Sequence, residues 1–125
     1  MTQGTPAQIL IVEDEAIVAA TLERMLLAAG YRIAGRAAGG REAIEKAVSL
    51  VPDVILMDIM LADEIDGISA SREITRKASI PVIFITSLDD AETIEASRRA
   101  GPFGYIRKPR DEPDLVIVID NAPYR

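Results

Sequence analysis

Short, almost continuously apolar segments alternate along this 125-residue chain with segments of helical periodicity. The apolar segments are bounded by Gly, Pro and Asp and are short enough to be buried strands. The predicted strands cover residues 9–12, 31–37, 54–58, 80–86 and 103–107, and the predicted helices between them cover residues 16–29, 41–50, 68–77 and 91–100. Strands joined by helices form parallel sheets through right-handed crossovers. Five such units indicate an α/β fold with an open doubly wound parallel sheet, because an eight-fold barrel needs more.

Composition excludes several kinds of chemistry. The chain has no cysteine and no histidine, so disulfides, thiolate metal sites and histidine-based catalytic triads are excluded. A net charge of −6 argues against direct binding to nucleic acid, and no apolar segment is long enough to cross a membrane. We therefore predict a cytoplasmic protein with one domain over residues 8–122, a flexible N-terminus over residues 1–7 and a C-terminal tail over residues 123–125.

Polar side chains stand at the carboxyl ends of four predicted strands. These residues are Glu13 and Asp14 after the first strand, Asp58 at the end of the third, Thr86 and Ser87 at the end of the fourth, and Lys108 after the fifth. Ligands of doubly wound sheets bind at this edge. Three neighbouring carboxylates repel one another, and Mg²⁺, a hard cation that binds oxygen ligands, would remove that repulsion. Such a site could receive a phosphoryl group with Asp58 as the nucleophile.

Each of these residues alone has a more ordinary explanation. An Asp after a strand commonly belongs to a turn or a helix cap. Residues 13–15 could be the acidic first turn of the following helix, and a lone Lys108 is usually a solvated surface residue. Their joint placement at the ends of four strands favours a functional site.

Four segments of the sequence resemble the receiver domain of two-component response regulators. They are ILIVEDE at residues 9–15, DVILMDIMLADEIDGI at residues 53–68, IPVIFITS at residues 80–87 and GYIRKP at residues 104–109. The resemblance covers residues 8–109. It implies a flavodoxin-like receiver fold with strand order 2-1-3-4-5.

The resemblance also implies roles for individual residues. Asp58 resembles the phosphoacceptor, which takes a phosphoryl group from a histidine kinase or a histidine phosphotransfer protein. Glu13, Asp14, Asp58 and the backbone carbonyl of Met60 resemble the Mg²⁺ ligands. The residues that resemble the phosphate-binding and switch positions are Thr86, Ser87, Tyr105 and Lys108.

The function implied is a signalling switch of a two-component system and not an enzyme, beyond assisting its own phosphorylation and dephosphorylation. Phosphorylation would change a surface formed by the predicted helix over residues 91–100, the fifth strand and a fifth, C-terminal helix. A homodimer or an effector domain would use that surface. The chain is expected to be either a stand-alone receiver or a piece of a longer regulator or hybrid kinase.

The C-terminal segment departs from the family pattern. Pro113 suits a helix start, but residues 116–119 form a β-branched run of poor helix propensity, so this helix is expected to be short or irregular. If the segment is helical, its core side consists of Leu115, Val118, Ile119 and Ala122, while Val116 and Ile117 point more outward. The outward apolar residues are explained either by a short helix that covers them or by contact with a partner.

Two alternatives come from other functional classes. A degenerate receiver would act only as a docking module. A phosphatase with an aspartyl-phosphate intermediate would be a true enzyme, but haloacid-dehalogenase-like enzymes carry a second acid two residues after the nucleophile, where this chain has Met60. A nucleotide-binding loop is not indicated, because the phosphate-loop motif is absent from the sequence.

Overall fold

The computed structural model describes residues 6–59, 61, 65–86, 95, 98–99, 101, 104–107 and 112–123, and for residues 86, 105–107 and 112–114 the description covers the backbone. Its helices and strands are β1 (Gln8–Val12), α1 (Ala16–Ala28), β2 (Arg32–Ala37), α2 (Gly40–Leu50), β3 (Val54–Asp58), α3 (Gly67–Lys77), β4 (Val82–Thr86), β5 (Gly104–Arg107) and α4 (Glu112–Asp120). The predicted helix over residues 91–100 lies largely outside the described residues.

The five strands form one parallel sheet in the order β2-β1-β3-β4-β5. This order confirms the doubly wound α/β fold predicted from the sequence. The chain starts in the middle of the sheet, moves outward to β2, and returns past β1 to build the other half. A doubly wound sheet of this kind opens a crevice where the winding reverses, which here is between β1 and β3.

The sheet is covered on both faces, which explains why its strands are apolar at nearly every position. In β1, Ile9 and Ile11 belong to a core cluster shared with α1 and α4. Leu10 and Val12 belong to the cluster on the opposite face, which is shared with α2 and α3. Successive side chains of a strand point to opposite faces, so the same four residues supply both cores.

The C-terminal helix α4 is regular over nine residues despite its β-branched sequence. Leu115, Ile119 and Ala122 are buried, Ile117 is 60% exposed, and Val118 is half-buried against the core. These positions agree with the sides predicted from the sequence, except that Val116, predicted to point more outward, is half-buried and packs against the same core cluster. Burial of one side of the helix compensates for its poor intrinsic propensity.

The far end of α4 is attached to the first half of the chain. The hydroxyl of Tyr31, which follows α1, donates a hydrogen bond to the carboxylate of Asp120. The side-chain amide of Asn121 donates to the carbonyl of Ile117 at 2.9 Å and closes the last turn of the helix. The position of α4 is therefore fixed by packing along its length and by polar contacts at its end.

One predicted core residue of α2 is exposed. The helical spacing of the apolar residues in this segment predicts an inward side formed by Ala43, Ile44, Ala47 and Val48. The side chain of Val48 is 49% exposed, so the prediction for this residue was wrong. The buried side of α2 is centred on Gly40, Ala43 and Ala47. With 3.6 residues per turn, Val48 lies about 100° around the helix from Ala47 and falls outside this narrow face.

Strand β2 forms one edge of the sheet, and its outer edge is partly covered. Arg32 and Arg36 are exposed along it. The ammonium of Lys46, from α2, donates a hydrogen bond to the carbonyl of Arg36 at 2.5 Å. The carbonyl of the next residue, Ala37, faces inward and accepts a hydrogen bond from the backbone N–H of Glu13.

Within the described part of the chain, no helix has both the length and the apolar character that a membrane crossing requires.

Candidate functional site

Three carboxylates meet at the carboxyl ends of β1 and β3. One oxygen from each of Glu13, Asp14 and Asp58 lies within 4.8 Å of the other two. Glu13 and Asp58 are buried, with 3% and 4% of their surface exposed, and Asp14 is half-buried. The register explains the meeting, because Val12 pairs with Met57 and the next residue of each strand is acidic. The structure thus brings together the three acidic residues singled out in the sequence.

The acidic residues after β1 precede helix α1 and are not part of its first turn. The backbone N–H of Glu13 donates to the Ala37 carbonyl at 2.9 Å, which extends the sheet by one residue. The Glu13 carboxylate then accepts a hydrogen bond from the backbone N–H of Glu15 at 3.1 Å. Helix α1 begins only at Ala16, and the Glu15 side chain makes no capping hydrogen bond. Stabilisation of a helix start therefore does not explain these residues.

The end of β3 is held closely against the start of α3. The backbone N–H of Gly67 donates to the carbonyl of Ile59 at 2.9 Å. A Cβ at Gly67 would collide with the Asp58 carbonyl oxygen and would lie 2.8 Å from the Cα of Ile59. Asp66 caps the helix by accepting a hydrogen bond from the Ser69 backbone N–H at 2.8 Å. Only glycine permits this approach, which fixes the backbone that carries the Asp58 carboxylate.

Sequence reasoning did not assign a role to Gly67. The available signal was its place in the segment Ile65-Asp66-Gly67-Ile68, between a helix-capping aspartate and an amphipathic helix. Glycine has a low helix propensity, so a glycine in a helix indicates that a side chain would not fit there. Here the close approach to the Asp58 backbone leaves no room for one.

The structure describes the remaining predicted site residues only in part. Thr86 ends β4 and pairs with Arg107 of β5, while Tyr105 pairs with Phe84. The side chains of Thr86 and Tyr105, and the whole of Met60, Ser87 and Lys108, lie outside the described residues. Their roles stay predictions. The backbone of β4 does end at the same edge of the sheet as Asp58, since Asp58 pairs with Ile85.

The chemistry of the three carboxylates fits Mg²⁺. They offer oxygen ligands, which this cation prefers to nitrogen or sulfur, and three protein oxygens leave positions for water and for a substrate oxygen. Two buried carboxylates and one half-buried one also repel each other, and a divalent cation would offset that repulsion.

Comparison with known proteins agrees with this geometry. The family model described as the response regulator receiver domain matches residues 9–120. The chain is similar to the chemotaxis protein CheY of Thermotoga maritima, with 35% identity over 82% of this chain and 85% of that protein.

Two further similarities cover most of the chain. The transcriptional regulatory protein PdtaR of Mycobacterium tuberculosis is 38% identical over 98% of this chain and 59% of that protein, so the chain spans about three-fifths of this relative's length. The solved signal receiver domain of a modulated diguanylate cyclase from Desulfovibrio desulfuricans G20 superposes with a TM-score of 0.87 and 39% identity, over 92% of this chain and 91% of that one.

Proposed function

Because this chain belongs to the response regulator receiver domain family, we propose that it is a phosphoacceptor switch in which Asp58 takes a phosphoryl group from a partner protein. The observation that carries the proposal is the position of Asp58, a buried carboxylate within 4.8 Å of two others at the edge where ligands of doubly wound sheets bind. Burial of a carboxylate next to two others is unfavourable for folding. A role in phosphoryl transfer explains why the chain has a carboxylate at this position.

The transfer is a displacement at phosphorus. A carboxylate oxygen of Asp58 attacks the phosphorus of the partner's phosphohistidine, and the phosphorus–nitrogen bond breaks. The bonding electrons return to the imidazole, which takes up a proton, and Asp58 becomes an acyl phosphate. Mg²⁺, when bound, neutralises charge on the carboxylates and on the phosphoryl oxygens. The packing of Gly67 against the Asp58 backbone holds the attacking carboxylate in place while the partner approaches.

The other residues are proposed to act around this step. Glu13, Asp14, Asp58 and the Met60 carbonyl would hold Mg²⁺. Lys108, Thr86 and Ser87 would contact the phosphoryl oxygens, and Tyr105 would follow Thr86 as it moves. These assignments rest on the family pattern and on the strand order, in which β4 lies beside β3 and β5 beside β4.

The partners follow from the same proposal. The phosphoryl donor would be a histidine kinase or a histidine phosphotransfer protein. The output surface would consist of the segment over residues 91–100, β5 and α4, and its partner would be a second copy of the chain or an effector domain. Catalysis would be limited to the chain's own phosphorylation and dephosphorylation, and a cytoplasmic location stays a prediction.

Intact-mass spectrometry after incubation with acetyl phosphate and Mg²⁺ tests the proposal. The parent chain should gain the mass of one phosphoryl group, and Asp58→Asn should gain none, because the amide is not a nucleophile for phosphorus. Asp53→Asn is the matched control: Asp53 immediately precedes the same strand, at the end far from Asp58, where it accepts a hydrogen bond from the Gln8 N–H. This variant should be phosphorylated like the parent.

Other results would favour the alternatives. Stable labelling of Asp58→Asn would refute the phosphoacceptor assignment. Continuous release of inorganic phosphate without an accumulating adduct would favour an enzyme with an aspartyl-phosphate intermediate. A folded parent chain that remains unlabelled would favour a docking module.

A further inference from the structure

The start of helix α2 lies directly against the connection between β3 and α3. A Cβ at Gly40, the first residue of α2, would collide with the carbonyl oxygen of Ile65, and it would lie 2.7 Å from the Cγ2 and 2.8 Å from the Cβ of the same residue. Since the first of these atoms is backbone, it cannot be displaced by rotating a side chain. The two segments therefore approach as closely as they do because residue 40 has no side chain.

Ile65 is held from its other side by the protein core. Its side chain is half-buried and packs on the cluster that α2 and α3 share, together with Leu61 from the same connection. The connection is closed at its base by the hydrogen bond from Gly67 to Ile59. Ile65 is thus placed between the core and the backbone of Gly40, close to where the connection enters α3.

This connection is the segment that follows Asp58. It starts at Ile59, immediately after the carboxylate, and returns to the Asp58 backbone at Gly67. A shift of Ile65 away from Gly40 would be transmitted through Asp66 to Gly67, which packs against the Asp58 backbone and donates its N–H to the Ile59 carbonyl.

We propose that Gly40 is a positioning residue for phosphoryl transfer: through its contact with Ile65 it sets how residues 65–67 pack against the backbone of Asp58. The inference rests on the proposed function, because it concerns the same site. Gly40 touches neither the carboxylates nor the phosphoryl group. It acts through Ile65.

Substitution of Gly40 by alanine tests the proposal. The added Cβ should push the Ile65 backbone outward and weaken Mg²⁺ binding by about 10- to 100-fold, the size of effect seen when residues that support metal ligands are changed. Phosphorylation by acetyl phosphate at saturating Mg²⁺ should also slow, because a displacement of about 1 Å at a reacting group can cost 10²-fold. Isothermal titration with Mg²⁺ and the rate of adduct formation by mass spectrometry measure the two effects.

Gly35→Ala is the matched control. A Cβ at Gly35, in β2, would meet only the Cδ1 of Leu50 at 3.0 Å and the Cδ1 of Leu10 at 3.8 Å. Leu50 is 45% exposed, so its end can move aside. This variant should keep the Mg²⁺ affinity and the phosphorylation rate of the parent, while sharing with Gly40→Ala any general effect of replacing glycine.

A second variant keeps the test decisive if Gly40→Ala does not fold. Ile65→Ala removes the side chain that seats the connection and inserts nothing into the core. It should likewise weaken Mg²⁺ binding in the folded protein, as judged by an unchanged circular dichroism spectrum.

The outcomes separate this inference from the proposed function. If the parent is phosphorylated, and a folded Gly40→Ala or Ile65→Ala variant retains the parent's Mg²⁺ affinity and rate, the positioning role of Gly40 is refuted and the switch stands. If neither the parent nor Gly35→Ala is phosphorylated, the proposed function itself fails.

Discussion

Val51 has a backbone conformation that β-branched residues rarely adopt. It follows α2 with φ 47° and ψ 62°, in the left-handed region, and its backbone N–H donates to the Ala47 carbonyl. Its side chain is 65% exposed, so little packing offsets the strain. The conformation closes the helix before Pro52 redirects the chain into β3.

We expect Val51→Gly to stabilise the protein. Relief of the left-handed strain should stabilise the fold by about 1–2 kcal/mol. The greater freedom of glycine in the unfolded chain should destabilise it by about 0.5–1 kcal/mol. The net gain in unfolding free energy should be about 0.5–1 kcal/mol, measured by urea denaturation. Val51→Ala is the control, because it keeps the Cβ that causes the strain. Equal stabilities of the two variants would contradict this explanation.

Single residues also show where sequence reasoning succeeds and where it stops. Glu13, Asp14 and Asp58 could be predicted to meet because each comes at the end of an apolar strand, and parallel strands end at one edge. The role of Gly67 could not, because it depends on how closely α3 approaches the Asp58 backbone. Val48 was misplaced because the width of a buried helix face depends on how the helix sits on the sheet.

At the scale of elements, the start of α2 is stabilised by a side chain from its own first turn. The carboxylate of Glu42 accepts a hydrogen bond from the Ala38 backbone N–H at 3.0 Å and pairs with the Lys46 ammonium at 2.9 Å. The Ala38 N–H, and next Lys46, lower the pKa of Glu42 below its ordinary value of 4.5. Gly40 lies in the same helix start, so these contacts also hold in place the residue that packs against Ile65.

The lowered pKa of Glu42 has a defined effect on stability. A carboxylate whose pKa is lower in the folded than in the unfolded chain stabilises the fold above the unfolded pKa, and this contribution disappears as the pH falls through the folded pKa. We expect Glu42→Gln to be less stable than the parent at pH 7 and the difference to shrink below pH 4.5.

Urea denaturation at a series of pH values between 7 and about 3 measures this difference. The exposed Glu45 of the same helix provides the control, since Glu45→Gln removes one charge from α2 and leaves the contacts of Glu42 in place. A difference between parent and Glu42→Gln that grows as the pH falls would show that the sign is wrong.

Elements also account for the C-terminal helix. Sequence could predict which side of α4 is buried, because Leu115, Ile119 and Ala122 recur at helical spacing. It could not predict the hydrogen bond between Tyr31 and Asp120, which joins residues 89 positions apart. That bond depends on α1 and α4 lying on the same face of the sheet.

At the scale of the whole molecule, repulsion among the carboxylates of the acidic site lowers the free energy of unfolding, and a bound cation would relieve that repulsion. The chain has a net charge of −6, and three of its carboxylates lie together at one edge. Ligand binding to the folded state alone raises the free energy of unfolding by mass action. The site should therefore be visible in the global stability of the protein.

We expect Mg²⁺ at 100 times its dissociation constant to raise the unfolding free energy by about 2.7 kcal/mol. Asp14→Asn should lose most of this increase. In the absence of Mg²⁺, the same variant should be more stable than the parent by about 1 kcal/mol, because one of three mutually repelling charges is gone. Thermal denaturation at constant ionic strength, with and without Mg²⁺, measures both effects. An equal response of parent and variant to Mg²⁺ would contradict the ligand assignment.

The fold of the described residues could be predicted from the sequence to a large extent. Apolar runs such as residues 54–57 identified strands covered on both faces, and the family motifs supplied the strand order that the structure confirms. What the sequence could not supply were the approaches between segments distant in the chain, such as Gly40 against Ile65. These depend on the final packing, and they are the contacts that adjust the site.

The bond from the Lys46 ammonium to the Arg36 carbonyl has a consequence for encounters between molecules. An uncovered edge strand invites a neighbouring chain to continue the sheet, which leads to fibrils and other irreversible aggregates. Here a carbonyl on the outer side of β2 already accepts a hydrogen bond from Lys46, so it cannot pair with the N–H of a second strand. The contact from α2 thus makes the β2 edge a poorer template for the addition of a strand from another molecule.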